Sequence, residues 1–381
     1  MNALLFACAL LAAAPARVGV ERFDLYAHLL ADKNAAIVAN RASLADGLPD
    51  VQFLARRGIR VLRVFAPEHG FRGDAAAGET VEDQRDDTGR LPVISLYGRK
   101  KAPSAEDLLG IDIMIFDLQD VGVRFYTYLS TLHHVMESCA AAGIPLIVMD
   151  RPNAHAHYVD GPVARPDHRS FIGMHPVPVV YGMTIGEYAR MINGEGWLRD
   201  GLRCQLTVIP CHGWRRGDPF PLRVPPSPNL PDSLSVMLYP SLCFFEGTVV
   251  NEGRGTPFPF QRFGHPLLEG MSFAYTPRPL PGIAPSPKCA GEECRGMDLA
   301  NEHLPTRAAR RLNLTWLLAA YRTYRGPSPF FLPLFDLLAG NDALRLAIIA
   351  GKTEQQIRDA WQPEIDAFLP VRQRYLLPDY D

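Results

Sequence analysis

A carboxylate, an imidazole and a guanidinium lie close together directly after one apolar segment of this chain. They belong to Glu68, His69 and Arg72, which follow the β-branched run Arg60–Phe65. Because Pro67 cannot donate a hydrogen bond to a neighbouring strand, we predict that a strand ends just before Glu68. A carboxylic acid held there can protonate a leaving group as a general acid. The alternative is a turn in which Glu68 only caps backbone groups.

The same arrangement of polar side chains after apolar runs recurs along the chain. The further candidates are Asn40, Asp117, Gln119, Asp120, Arg124, Tyr126, Asp150, Asn153, Glu246, Glu252 and Arg254. A single aspartate after a strand is more often a helix cap, but the repetition favours a common site. Since ligands of open α/β sheets bind at the carboxyl ends of the strands, we expect one shared cleft.

The residue types in this set indicate a polar small ligand. Carboxylates and amides hydrogen-bond hydroxyl groups, aromatic rings stack on sugars, and a guanidinium can clamp an acidic substituent. Two carboxylates across a glycosidic bond are also the minimal machinery for its hydrolysis. The residues alone therefore predict a hydrolase or a binder of such a ligand, with glycosides favoured.

Elements that position this site alternate between strands and helices from residue 35 to about 210. This order is typical of an α/β fold with a mainly parallel sheet. The predicted strands are Ala36–Ala39, Val61–Ala66, Val93–Tyr97, Ile111–Leu118, Pro145–Met149 and Gln205–Ile209. The predicted helices are Leu44–Arg57, Tyr126–Ala142 and Thr184–Asn193, the last with a Thr184/Glu187 capping box.

Prolines accumulate between Trp214 and Pro240, where we expect no helix and place a domain boundary. The predicted domains are residues 19–235, the α/β domain, and 236–381, a smaller α+β domain. Helices are expected in the second domain at Leu312–Tyr324, Phe335–Ile349 and Thr353–Phe368. Packing of this domain against the carboxyl edge of the sheet would create a cleft over Glu68.

Composition excludes several classes of partner. The formal net charge of the 381 residues is −2, which argues against nucleic acid and anionic membranes as partners. Residues 1–16 are mainly apolar and end in small side chains, which predicts a secretory signal over residues 1–18 with cleavage near Ala16. We therefore expect a periplasmic protein without stable membrane insertion. Six cysteines remain after its removal, and Cys289 and Cys294 are the nearest pair, although six idle thiols are as good an interpretation.

Signatures of common cofactors and hydrolases are absent from the sequence. No Gly-x-Gly-x-x-Gly follows a strand, and Gly351-Lys352-Thr353 has Leu346 where a phosphate loop needs glycine. No Gly-x-Ser-x-Gly, His-Glu-x-x-His or Cys-x-x-Cys occurs. We therefore predict no cofactor and no metal.

Several of these segments together resemble the NamZ-type exo-β-N-acetylmuramidases, a bacterial family long known only as a domain of unknown function. The similar blocks are Pro67–Gly73, Gly78–Glu79, Leu91–Gly98, Phe116–Tyr128, Asp150–Asn153, Tyr181–Thr184, Pro225–Asn229, Glu246–Gly247 and Glu252–Thr256. The resemblance implies a Rossmann-like domain with a smaller C-terminal one, and release of N-acetylmuramic acid from the non-reducing end of peptidoglycan fragments. It places the family's proposed catalytic glutamate on Glu68 and adds Asn229 to the candidate binding residues.

The resulting hypothesis makes Glu68 the general acid, with Glu252, Glu246 and Asp120, in that order, as candidate partners. Arg72 or Arg124 is expected to bind the lactyl carboxylate of the substrate, and His69 to hold Glu68 or a sugar hydroxyl. His133 and His134 are predicted to be structural. The competing hypotheses are a non-catalytic periplasmic receptor for sugars or muropeptides, and a metal-dependent amidase using His69, Asp117 and Asp120.

Overall fold

A computed structural model describes residues 16–86, 89–219 and 222–381, apart from the side chains of 303–305. The predicted signal therefore lies outside the described residues, except for its last three. Of these, Val18 is buried in the core beneath the sheet. A mature chain that begins at Arg17 would retain this contact.

The first half of the chain is built on a mainly parallel sheet, which confirms the predicted α/β class. The strands of this sheet are β1 Asn34–Val38, β4 Arg60–Ala66, β5 Gln84–Arg85, β6 Pro92–Ser95, β7 Ile113–Phe116, β8 Leu146–Met149 and β9 Leu206–Ile209. A separate small hairpin is formed by β2 Leu44–Ala45 and β3 Leu48–Pro49. The seven sheet strands have the order β5-β6-β4-β1-β7-β8-β9, with β5 antiparallel to β6 and the other pairs parallel. The carboxyl ends of β4, β1, β7 and β8 thus lie along one edge.

Helices cover this sheet and form most of the second half. They are α1 Ala27–Leu30, α2 Asp50–Ala55, α3 Tyr128–Ala142, α4 Ile185–Gly194, α5 Ser233–Leu242, α6 His303–Ala309, α7 Thr315–Thr323, α8 Leu334–Ala339, α9 Ala343–Ile349 and α10 Glu354–Gln373. The second half adds the strands β10 Arg262–His265, β11 Phe273–Tyr275 and β12 Cys294–Asp298, paired antiparallel in the order β10-β12-β11. Within the described ranges, no helix has both the length and the apolar character needed to cross a bilayer.

The two faces of the sheet belong to two separate apolar clusters. On β1, Ala36 and Val38 face the larger cluster, which includes α3, α4 and the helices of the second half. Ala35 and Ile37 face the smaller cluster, which includes α2 and the N-terminal segment. Burial on both faces explains why the strands of the parallel sheet consist mainly of apolar residues.

Two predicted helices are shorter than the sequence pattern indicated. The helix expected over Leu44–Arg57 is wrong in its first half, because Asp46 and Gly47 both have positive φ and form the turn between β2 and β3. The helix expected over Phe335–Ile349 is interrupted at Gly340, whose φ is 77°. A Cβ at Gly340 would lie 2.6 Å from the guanidinium of Arg124, so a side chain there would strain both backbone and packing.

Helix α5 forms where the density of prolines predicted none. Its start is capped by Asp232, whose side chain accepts a 2.8 Å hydrogen bond from the amide of Ser235. Pro240 lies inside the helix and cannot bond the carbonyl of Val236 four residues earlier. The Nε2 of His155 lies 3.0 Å from that carbonyl and satisfies it. The contact with His155 therefore compensates for the backbone hydrogen bond that Pro240 cannot form.

Other local predictions are confirmed. Thr184 and Glu187 form the predicted capping box at the start of α4, and Gly143 ends α3 in the left-handed conformation. The six cysteines that follow the predicted signal are free thiols, so Cys289 and Cys294 form no disulfide and the interpretation as idle thiols is the one confirmed.

Candidate active site

Glu68 is held at the carboxyl end of β4, two residues after the strand ends at Ala66. Its side chain is 7% exposed. The Oε1 atom accepts a 2.9 Å hydrogen bond from the amide of Gly78, and Oε2 accepts a 2.6 Å bond from the hydroxyl of Thr127. Thr127 directly precedes α3, so a loop and a helix start together fix the carboxylate.

His69 has a φ of 71°, a conformation that is unusual for a residue with a side chain. Its Nδ1 lies 2.9 Å from the carbonyl of Ala75. Since a carbonyl only accepts, Nδ1 carries the hydrogen. Burial lowers the pKa of His69, while the charge of Glu68 opposes this shift. A neutral ring of this tautomer leaves Nε2 as an acceptor for a ligand hydroxyl.

The second half of the chain supplies the opposite wall through Glu246 and Arg254, which belong to a network of four charged side chains. Arg254 binds Glu246 at 2.5 Å through Nη2, and its Nε lies 3.4 Å from Glu252. Lys288 binds Glu252 at 2.8 Å. Glu246 lies in the 3-10 turn Cys243–Gly247, which follows α5 directly.

Opposite pKa shifts separate the two glutamates of this network. Burial raises the pKa of Glu246, and the attraction of Arg254 only partly offsets it. Burial would also raise the pKa of Glu252, but Lys288 and Arg254 together outweigh it and lower that pKa. Glu252 is therefore a fixed anion, whereas Glu246 can accept or hold a proton more readily.

The two walls enclose a cavity of about 370 Å³, a volume suited to a small ligand. Charged and polar side chains share its lining with aromatic rings and aliphatic groups. The lining includes Glu68, His69, Tyr97, Phe125, Tyr126, Thr127, Ile172, Asn229, Tyr239, Glu246, Arg254, Phe260, Leu334 and Leu338. The predicted cleft over Glu68 between the two halves is thus present. Such a lining can bind hydroxyl groups on one side and apolar ring faces or a methyl group on another.

Six of the residues predicted from the sequence line this cavity: Glu68, His69, Tyr126, Asn229, Glu246 and Arg254. Tyr97 and Thr127 also line the cavity but were not predicted as site residues, although they lie in the similar blocks Leu91–Gly98 and Phe116–Tyr128. Burial raises the pKa of Tyr97, and the nearby charge of Glu68 raises it further. Glu252 does not line the cavity, which reverses the predicted order of Glu252 and Glu246 as partners.

Most other candidates hold the scaffold and do not reach the cavity. Asp117 forms a buried ion pair with Arg151. Asp150 accepts hydrogen bonds from the Thr184 and Tyr380 hydroxyls at 2.7 and 2.6 Å. The remaining scaffold contacts are Asn40 to Tyr128, Gln119 to the carbonyls of Asp120 and Pro152, Asp120 to Tyr181, and Asn153 to the carbonyl of Met183. Burial raises the pKa of Asp120 to about 6.

Neither arginine expected to bind the substrate carboxylate is available at the cavity. Arg124 is 2% exposed and donates to the carbonyls of Pro162, Val177 and Leu338. Arg124 therefore connects the sheet domain to α8. This contact contradicts the prediction that Arg124 binds the ligand carboxylate. Arg72 is exposed, and its guanidinium lies 3.5 Å from the Gln84 side chain, outside the cavity lining.

The set of residues needed for a metal-dependent amidase does not assemble. Asp117 is neutralised by Arg151, and Asp120 is directed at Tyr181. Over the described ranges, the side chains whose ligand atoms converge are His133, His134 and Glu137 on α3. These lie apart from the cavity lining, and His133 and Glu137 are 3.2 Å apart as a local pair.

Comparison with known proteins agrees with this architecture. The N-terminal model of the exo-β-N-acetylmuramidase NamZ family matches residues 35–234, and its C-terminal model matches residues 237–377. The chain therefore belongs to the NamZ exo-β-N-acetylmuramidase family. It is 36% identical over 372 residues to the peptidoglycan β-N-acetylmuramidase NamZ of Bacillus subtilis strain 168, covering 92% of this chain and 88% of that protein.

Two crystal structures of DUF1343 family proteins from Bacteroides fragilis NCTC 9343 share the fold. The first has a TM-score of 0.88 and 38% identity, over 97% of this chain and all of the other. The second has a TM-score of 0.75 and 25% identity, over 96% and 99% of the two chains.

Proposed function

We propose that this protein is an exo-acting glycoside hydrolase that releases N-acetylmuramic acid from the non-reducing end of peptidoglycan fragments. The observation that carries the proposal is the position of Glu68, held at a strand end inside a cavity whose far wall presents Glu246. Family membership and the activity named for the Bacillus relative support it. The substrate would be a muropeptide or a disaccharide that contains N-acetylmuramic acid.

In this reaction Glu68 donates a proton to the oxygen of the leaving sugar as the glycosidic bond breaks. Water supplies the hydroxyl of the released N-acetylmuramic acid and restores the proton balance. The amide of Gly78 and the hydroxyl of Thr127 orient the carboxyl group before the substrate arrives. Such preorganisation lowers the cost of reaching the reactive geometry.

Glu246 is the partner carboxyl that the cavity favours. Its raised pKa suits a group that takes a proton from water or holds the N-acetyl group of the substrate. Glu252, neutralised by Lys288, keeps Arg254 in place behind it. The anomeric form of the first sugar released, read by NMR, would distinguish inversion from retention.

Glu68→Gln tests the assignment of the general acid. We expect kcat on a chromogenic N-acetylmuramide to fall roughly 10²- to 10⁴-fold while substrate binding is retained. Glu82→Gln is the matched control, because Glu82 is an exposed residue paired with Arg99. Turnover by Glu68→Gln at the rate of this control would refute the proposal. Binding without release of sugar by the parent protein would instead support the receptor.

We also propose export to the periplasm, on the basis of the apolar residues 1–16. N-terminal sequencing of the protein from a fractionated native host tests this. A mature N-terminus near Arg17 in the periplasmic fraction is expected, and an intact Met1 in the cytoplasmic fraction would contradict the proposal.

A further inference from the structure

Lys101 places a positive charge beside the cavity between two aromatic rings. Its Nζ lies 3.5 Å from the ring centroid of Tyr97 and 4.4 Å from that of Phe171. The two ring centroids are 5.9 Å apart. Cation–π attraction on both sides restrains an otherwise flexible side chain.

Three other basic side chains around the cavity are already paired with carboxylates. Arg254 binds Glu246, and Lys288 binds Glu252. Lys100, the neighbour of Lys101, binds Asp107 at 2.9 Å. Within the part of the chain that the structure describes, Lys101 has no carboxylate within ion-pair distance. Burial lowers its pKa, with the charge of Glu68 opposing this, as expected for a partly desolvated and uncompensated ammonium.

Tyr97 links this ammonium to the catalytic carboxyl. Its ring contacts the Lys101 ammonium, and it lines the same cavity as Glu68. The charge of Glu68 acts on both Tyr97 and Lys101. In the proposed reaction Glu68 is protonated before it donates, so the carboxylate that attracts Lys101 is then neutral. Lys101 remains as a positive charge beside the Tyr97 wall of the cavity, whereas Arg254 in the opposite wall is paired with Glu246.

We infer that Lys101, held between Tyr97 and Phe171, binds the carboxylate of the sugar substrate and so selects N-acetylmuramic acid over N-acetylglucosamine. This inference rests on the proposed function. The lactyl group is the acidic feature that distinguishes the two sugars. The role assigned from sequence to Arg72 or Arg124 thus passes to a residue that sequence reasoning did not name.

Arg41 is the competing cation, since its charge acts on His69 and Tyr128. Its side chain is packed against Gly73, where a Cβ would lie 2.7 Å from Arg41 Cδ, and its Nε is buried. Among the described residues, no cavity-lining ring contacts the Arg41 guanidinium as Tyr97 contacts Lys101. It therefore serves as a comparison variant.

The test compares kcat/KM on the 4-nitrophenyl β-glycosides of N-acetylmuramic acid and N-acetylglucosamine for the parent and Lys101→Met. We expect the variant to lose roughly 10- to 100-fold on the muramide, which is the effect of one charge-assisted contact, with no loss on the glucosaminide. Lys100→Met and Arg41→Met should keep the parent's ratio, and Lys101→Arg should restore most of it. The methyl ester of the muramide should be cleaved equally by parent and Lys101→Met.

An unchanged substrate ratio in folded Lys101→Met would overturn the inference and leave the proposed function intact. An equal loss on both substrates, together with a displaced pH profile, would also overturn it and assign Lys101 to the acidity of Glu68. If the parent releases no sugar, the proposed function fails instead. Titration of Glu68→Gln and the double variant Glu68→Gln/Lys101→Met with free N-acetylmuramic acid would then test the carboxylate subsite by itself.

Discussion

The end of β4 and the ends of β7 and β8 carry carboxyl groups at one edge of the same sheet, but in different surroundings. Glu68 after β4 is bonded by neutral donors and faces an open cavity. Asp117 after β7 and Asp150 after β8 are fully enclosed and directed at protein partners. The same position after a strand therefore lies in the candidate active site in one case and stabilises the scaffold in the others.

The largest effect on stability is expected when the ion-pair partner of Asp117 is removed. Arg151→Met leaves Asp117 and Asp50 buried without their cation, which lies 3.9 Å from Asp50. We expect the free energy of unfolding in urea to fall by about 3–5 kcal/mol. Arg99→Met, which removes an exposed pair with Glu82, should cost less than about 1 kcal/mol. Equal losses in the two variants would contradict a structural role for Asp117.

Asp150 offers a test through pH. Burial raises its pKa from 3.8 to about 7, so the folded state binds a proton that the unfolded chain releases. The resulting stability is present below about pH 4 and is lost as the pH rises through 7. Relative to Asp150→Asn, the parent should lose about 4 kcal/mol between pH 4 and pH 8 in denaturant titrations. Parallel pH curves for the two proteins would refute this.

Thr127→Val tests how Glu68 is positioned, and its expected effect is the smallest of the three. The variant keeps the shape of the side chain but removes the 2.6 Å donor to Glu68. We expect kcat to fall about 10-fold with little change in KM, because the carboxyl group loses one of its orienting bonds. Thr131→Val, one turn further along α3, removes only a bond to the Thr127 carbonyl and should retain kcat. A similar kcat for both variants would contradict the positioning role.

Local patterns predicted the elements well wherever burial and chain signals agree. The parallel strands β1, β4, β6, β7, β8 and β9 are rich in apolar residues, and the capping residues of α4, Thr184 and Glu187, are only three positions apart. The polar edge strand β5 was not predicted. The error at Leu44–Arg57 came from the local turn at Asp46 and Gly47, whereas two others involve contacts between distant residues. His155 hydrogen-bonds the Val236 carbonyl of α5, which Pro240 cannot bond. Arg124 packs against Gly340 between α8 and α9.

Sequence by itself determined where the acidic groups stand relative to the strands, because strand ends and turns follow from nearby residues. It thereby identified Glu68 and the edge at which the site forms. Only the tertiary structure decided which polar groups meet solvent in the cavity and which are satisfied inside the protein. That division depends on partners far apart in the chain, such as Arg151 for Asp117, Tyr380 for Asp150, and Thr127 for Glu68.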